Sequence, residues 1–252
     1  MRTIYAFAAG IAATIAVLAV IGAKDIGAEE EASADAAEAQ QSESDGGDRY
    51  SELVKVNGQF SETFVLPGIN FGDFNKVFLW EAQFEYRDVG PARKTRSTML
   101  HTHKREFGIS EEDRRKFEEI VGEAFDKEIS RAKQFTIVDN IDDIDAQTLI
   151  LRGALIDVIS KVPPEMVGRS DIYLSSVGAA TFVMELIDAR TGGVVALVAE
   201  RRAIETLNSR TGMANVPANS ASIMGDIRRW SGDLARRMRN GLDKAIKEGK
   251  TA

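Results

Sequence analysis

The strongest constraint in this sequence is a pair of apolar, β-rich runs, 178–188 and 194–204, joined by Ala189-Arg190-Thr191-Gly192-Gly193. Five residues with two glycines between such runs specify a hairpin, and both glycines are expected at positive φ. Asp188 stands where its carboxylate can accept backbone N–H groups of the turn. Around this hairpin the other elements can be placed by their periodicity.

Residues 75–87 alternate, with Phe78, Trp80, Ala82, Phe84 and Tyr86 on one side and Glu81, Gln83 and Glu85 on the other, which predicts a single half-buried strand. Phe64-Val65-Leu66, closed by Pro67-Gly68, reads as an edge strand or lead-in. Ser110-Glu111-Glu112-Asp113 approximates a capping box and opens a helix. Its apolar stripe comprises Phe117, Ile120, Val121, Ala124, Phe125, Ile129 and Ala132. Residues 135–138 and 148–159 are further strands, and residues 205–221 form a polar loop. A long amphipathic helix carrying Ile223, Ile227, Trp230, Leu234, Met238, Leu242 and Ile246 completes the chain to about Lys247. Strands that come in runs rather than alternating with helices predict an α+β fold: a mixed, mainly antiparallel sheet with two long helices packed on one face.

Three segments follow from composition. Residues 1–23 begin Met1-Arg2-Thr3 and continue as an apolar run from Ile4 to Ala23, the pattern of a signal peptide or an N-terminal membrane anchor. Ile21-Gly22-Ala23 and Ile26-Gly27-Ala28 both offer small residues for cleavage, so a cut signal and a retained helix are both open. Residues 24–49 are an acidic disordered linker almost without large apolar side chains, which cannot offset its ordering entropy. Residues 50–248 are expected to be a single α+β domain.

The linker holds nine acidic side chains against Lys24 and Arg49, a local charge equal to the net −7 of the whole chain. What remains is near neutral, with no global basic field for nucleic acid. There are 0 cysteines, which excludes disulfides, thiolate nucleophiles and a lipid tether on cysteine.

The chemistry-bearing candidates are few. His101 and His103, the two histidines, could hold a metal from one side of a strand, but no third ligand stands at an obvious spacing. The acidic run Asp139, Asp142, Asp143 and Asp145 lacks EF-hand spacing and reads as a solvated turn. No Walker loop, G-x-S-x-G elbow or H-E-x-x-H is present. On the last helix Arg228, Arg229, Arg236, Arg237, Arg239, Lys244 and Lys247 could meet anionic headgroups, or form a solvated face with cations toward the helix C-terminus. No catalytic, cofactor-binding or metal-binding residue is assigned.

The stretch from Leu151 to Pro164, with Arg152, Asp157 and Val162-Pro163-Pro164, resembles a known bacterial family. Gly168 to Gly178, Glu185-Leu186-Ile187-Asp188, Thr191-Gly192 and Arg201-Arg202 extend the likeness. The family is domain-of-unknown-function family 3313, and the resemblance covers roughly 50–248. It implies an exported, lipoprotein-like envelope protein, although the lipidated cysteine is missing here. The resulting expectation is a non-enzymatic periplasmic binding, assembly or scaffold module without cofactor. It would be soluble, or held to the inner membrane if the N-terminal segment is uncleaved. Its partner would be another envelope protein or a second copy. The alternative is an envelope hydrolase using the His101/His103 loop.

Overall fold

The computed structural model describes residues 49–80, 82–89, 106–163, 174–207 and 219–251. The apolar leader, nearly all of the acidic linker, His101 and His103 lie outside these residues. The fold is α+β, built on an eight-stranded mixed sheet. Its strands are β1 (Val54–Lys55), β2 (Glu62–Val65), β3 (Lys76–Leu79), β4 (Gln83–Tyr86), β5 (Thr136–Val138), β6 (Thr148–Ser160), β7 (Ser176–Asp188) and β8 (Val194–Glu205). Their order is β1-β2-β8-β7-β6-β3-β5, and β4 also pairs with β6. Two helices, α1 (Glu111–Ile129) and α2 (Ser220–Gly249), complete it.

The hairpin forms as the loop chemistry requires. β7 and β8 pair antiparallel over nearly their full lengths. The Asp188 carboxylate accepts the Arg190 N–H at 2.8 Å, and its carbonyl accepts the Gly192 N–H at 2.8 Å. One expectation needs correcting. Gly192 has φ 70, whereas Gly193 is not among the described residues with positive φ. A single left-handed residue already reverses this turn, and the Gly193 N–H instead donates to Thr191 Oγ1 at 3.1 Å.

The single strand expected over 75–87 is also corrected. It is two strands, and the inward face switches between them. Val77 is fully buried, while Phe78 is only half-buried and Trp80 is exposed. Beyond the break, Phe84 and Tyr86 pack on the core. The register supplies the reason. Leu79 stands opposite Leu151 and Gln83 opposite Ala154, so four steps along one chain match three along β6. One extra residue reverses every later side chain, as in a β-bulge.

Helix α1 is capped as its sequence asks, with Ser110 Oγ accepting the Asp113 N–H at 3.2 Å. Asn219 and Ser222 form a reciprocal capping box at the start of α2. The α1 residues Phe117 and Val121 share one apolar cluster with Trp230, Leu234, Met238, Leu242 and Ile246 of α2 and with Phe182, Met184 and Leu186 of β7. Both helices therefore cover the same face of the sheet.

The arginines of α2 are not simply a solvated face. Arg237 grips the Glu200 carboxylate of β8 through two bonds of 2.7 Å and lies over the Phe60 ring at 4.8 Å. Burial pushes the Glu200 carboxyl up, but the Arg237 guanidinium outweighs it and leaves the group below the usual carboxylate range. Arg239 reaches Glu128 of α1 at 3.0 Å. Arg229 pairs with Asp226 and Arg236 with Asp233. The aspartate run folds as the expected turn around a 3-10 segment, Ile141–Asp143. Lys76, the Gln147 N–H and Thr148 hold Asp145 down at about 2. Among the described residues no helix is long and apolar enough to cross a membrane, and no group of three or more side chains could hold a metal ion.

Candidate functional site

With the helices on one face, the alternating residues of β6, β7 and β8 project from the other, here called the outer face. The register aligns them in rows. Arg152 stands opposite Glu185, Ala154 opposite Val183 and Ile156 opposite Thr181. Leu197, Ala199 and Arg201 of β8 continue the same rows, and Phe64 of β2 stands opposite Leu197. The centre of this face is an apolar strip of Ala154, Ile156, Val183 and Leu197, with Tyr50, Leu53, Phe64 and Ala199 packed against it.

An ionic constellation sits at each end of the strip. At one end the Glu185 side chain, 3% exposed, receives Arg152. Arg152 Nε donates to Glu185 Oε2 at 2.8 Å and Nη2 donates to the same oxygen. The Tyr50 hydroxyl donates to Glu185 Oε1. Both carboxylate oxygens are thereby satisfied, which a carboxylate so far from water requires. Burial, and then the bond to Glu185, push the Tyr50 phenol up to about 12.

At the other end is Asp157, with φ 55 at the register shift of β6. Aspartate tolerates this left-handed conformation better than most residues. Arg87 donates Nε and Nη2 to its two oxygens at 2.5 and 2.7 Å, and Arg201 pairs with it as well. Arg87 also reaches Glu106 at 2.7 Å, and Arg201 reaches Thr181 Oγ1 at 3.1 Å. The Arg87 bonds lead in holding the Asp157 carboxyl below its ordinary value. Glu185 and Asp157 are each engaged by basic partners, an arrangement that fixes shape rather than one that shuttles protons.

Trp80 lies next to the first constellation. The Trp80 backbone N–H donates to the Leu151 carbonyl at 2.8 Å, extending the ladder one residue past β3, so that the register continues Trp80 beside Arg152. Trp80 is 47% exposed, and its ring meets the Phe78 ring edge-on at 6.0 Å between centroids. The bulge described above follows immediately, a device that re-aims side chains at a sheet surface.

The residue pattern had singled out none of Tyr50, Trp80, Arg152, Asp157 or Glu185 as a site. Arg152, Asp157, Glu185 and Arg201 do occur in the segments that carry the family resemblance, and the outer face gives them a physical reason. A charged residue within an apolar strand has to find a cross-strand partner. The expected candidates His101 and His103 lie outside the described residues.

No family model matches the sequence, so the resemblance to family 3313 stays an expectation. No curated protein matches either. Solved structures do. A protein from Helicobacter pylori, described as a candidate neuraminyllactose-binding hemagglutinin homolog, is 10% identical, covering 70% of this chain and 88% of its own with a TM-score of 0.36. A protein of domain-of-unknown-function family 330 from Xanthomonas campestris is also 10% identical, covering 74% and 93% with a TM-score of 0.36. A PelC dodecamer from Paraburkholderia phytofirmans matches at 10% identity, 74% and 97% coverage and a TM-score of 0.30. At these scores the likeness says nothing of activity, partner or location.

Proposed function

We propose that this chain is a non-enzymatic, exported binding or assembly module of the cell envelope, whose outer sheet face receives a protein partner. Residues 1–23 direct export or anchor the chain, residues 24–49 are the spacer, and the domain from residue 50 to residue 248 does the binding. The partner is another envelope protein or a second copy. One observation carries this reading: Trp80 stands 47% exposed at the end of β3, backed by Phe78 and following the register that sets Leu79 beside Leu151. Tryptophan and arginine on a pre-ordered scaffold are the side chains that dominate protein interfaces. The carboxylates beside them serve as structural anchors for arginine, which favours recognition over catalysis.

The test places a photoreactive phenylalanine at position 80 in whole cells, with position 116, half-buried on α1, as control. A discrete crosslinked adduct at position 80 and none at 116 is expected. If 80 gives no more adduct than 116, the outer face is not a docking surface.

A further inference from the structure

The chain enters the domain across the outer face. Tyr50 and Leu53 pack on it and residues 54–56 pair along β2 at the sheet edge, before the first core side chain, Phe60, which is 8% exposed and whose ring centroid lies 5.6 Å from that of Phe182. This stretch is held in two unequal ways. Its backbone pairing is short: β1 has two residues, opposite Val65 and Phe64, plus one bond of 2.9 Å from the Val56 N–H to the Thr63 carbonyl. Val54 and Val56 are left 52% and 41% exposed. Its seat is specific. Tyr50 and Leu53 pack on the apolar strip, and the Tyr50 hydroxyl reaches the buried Glu185 held by Arg152. Between strap and Phe60 lies Asn57-Gly58-Gln59. A Cβ on Gly58 would overlap the Thr63 side chain, so the reversal here needs glycine, the residue that also opens most readily into other conformations.

From these features we infer that the strap, residues 49–56, exchanges between two copies of the chain, each copy's Tyr50 and Leu53 filling the other's strip. When a strap lifts, it uncovers apolar side chains, a buried carboxylate and the edge of β2. Leaving these open is costly. The occupant whose fit the structure shows is the strap itself, and a second copy carries the same one. Exchange of an identical element costs little because each contact is remade, and a short reversing loop at the hinge favours it. The inference goes beyond the Trp80 reading and does not depend on it.

The chain has no cysteine, so an introduced pair reports without background. Val54 and Val65 are direct cross-strand partners, within reach of a disulfide. The full chain with Val54→Cys and Val65→Cys is prepared with natural isotopes and with 15N, mixed in equal amounts, oxidised and digested. Peptides joined by a disulfide between positions 54 and 65 are then weighed. Exchange predicts mixed-isotope pairs that rise with concentration toward about half of all linked pairs, the limit for random swapping. Tyr50→Phe, which removes the latch to Glu185, should speed their appearance. Same-isotope pairs alone at every concentration would overturn the inference. Should the cysteine pair fail to oxidise, sedimentation of the unmodified chain decides. A concentration-dependent dimer that vanishes when residues 49–56 alone are deleted supports exchange. No dimer, or one that survives the deletion, overturns it. Neither readout involves Trp80, so the two proposals fail separately.

Discussion

Replacing Arg152 with methionine should destabilise the domain far more than neutralising its partner Glu185 with glutamine. The two side chains are not equally shielded: that of Glu185 is 3% exposed and that of Arg152 is 26% exposed. In Arg152→Met the carboxylate keeps only the Tyr50 hydroxyl as donor and remains an uncompensated buried charge. Such losses cost about 3–5 kcal/mol. Partial access of water at the vacated site argues for the lower end, about 3 kcal/mol. In Glu185→Gln the amide keeps the shape and can still bond to Tyr50, while Arg152 can turn its guanidinium to solvent. The cost should be about 1–2 kcal/mol, the range for one imperfectly satisfied buried group. Replacing both, as Arg152→Met with Glu185→Leu, removes charge and partner together and should lie within about 1 kcal/mol of the parent. Urea unfolding followed by circular dichroism gives each midpoint, and a double-mutant cycle extracts the coupling. Equal costs for the two single changes, or less than about 1 kcal/mol for Arg152→Met, would refute the assignment of Glu185 as a buried charge dependent on Arg152.

Four further predictions test other parts of the molecule. Gly72 and Gly249 pack backbone against backbone, so a Cβ on Gly72 would overlap the Gly249 carbonyl; Gly72→Ala should cost about 1–3 kcal/mol in urea unfolding. Gly122 on α1 has open space, and Gly122→Ala should instead add about 0.5–1 kcal/mol. With its phenol at about 12 against an ordinary 10.0, Tyr50 stabilises the fold fully below pH 10 and loses that contribution as pH rises toward 12. The difference in ultraviolet phenolate titration between the parent and Tyr50→Phe should therefore sit near 12, and a component near 10 would contradict the bond to Glu185. Asp145, held at about 2 against 3.8, favours the fold above pH 3.8 and loses that contribution as pH falls through 2. Its carboxyl carbon, followed by NMR, should move up toward 3.8 in Lys76→Met, and an unchanged midpoint would remove Lys76 as the cause.

The parts of this fold that depend on nearby residues were legible in the sequence. The β7–β8 hairpin is set by its own loop, and α1 by Ser110 and its apolar stripe, so both emerge where periodicity puts them. The break between β3 and β4 was not legible, because it comes from counting against β6: the alternation of Phe78, Trp80, Phe84 and Tyr86 is continuous in sequence and discontinuous in space. The outer face was hidden for a related reason. Arg152 and Glu185 meet through the β6–β7 register, which no residue between 161 and 175 announces, and Tyr50 reaches Glu185 across 135 positions. What the letters did carry was a mismatch, charge inside apolar strands, and that signal is sufficient to ask where the counter-charge lies. The α2 arginines show the opposite error. Arg237 and Arg239 look like surface charge until β8 and α1 supply Glu200 and Glu128.

The pairing of β2 with β8 has a consequence in time. Phe64 stands opposite Leu197, and Arg237 bonds both Glu200 and the carbonyl of Gln59. A chain made from its N-terminus at roughly 5–20 residues per second reaches β8 only about seven to twenty-six seconds after β2. During that interval Phe60, Phe64 and Val65 have no sheet to join, and the edge they offer is open to any extended neighbour. The β7–β8 hairpin, whose halves appear within about one to four seconds of each other, can pair at once. The last helix then closes the domain over a sheet whose first strands have waited longest.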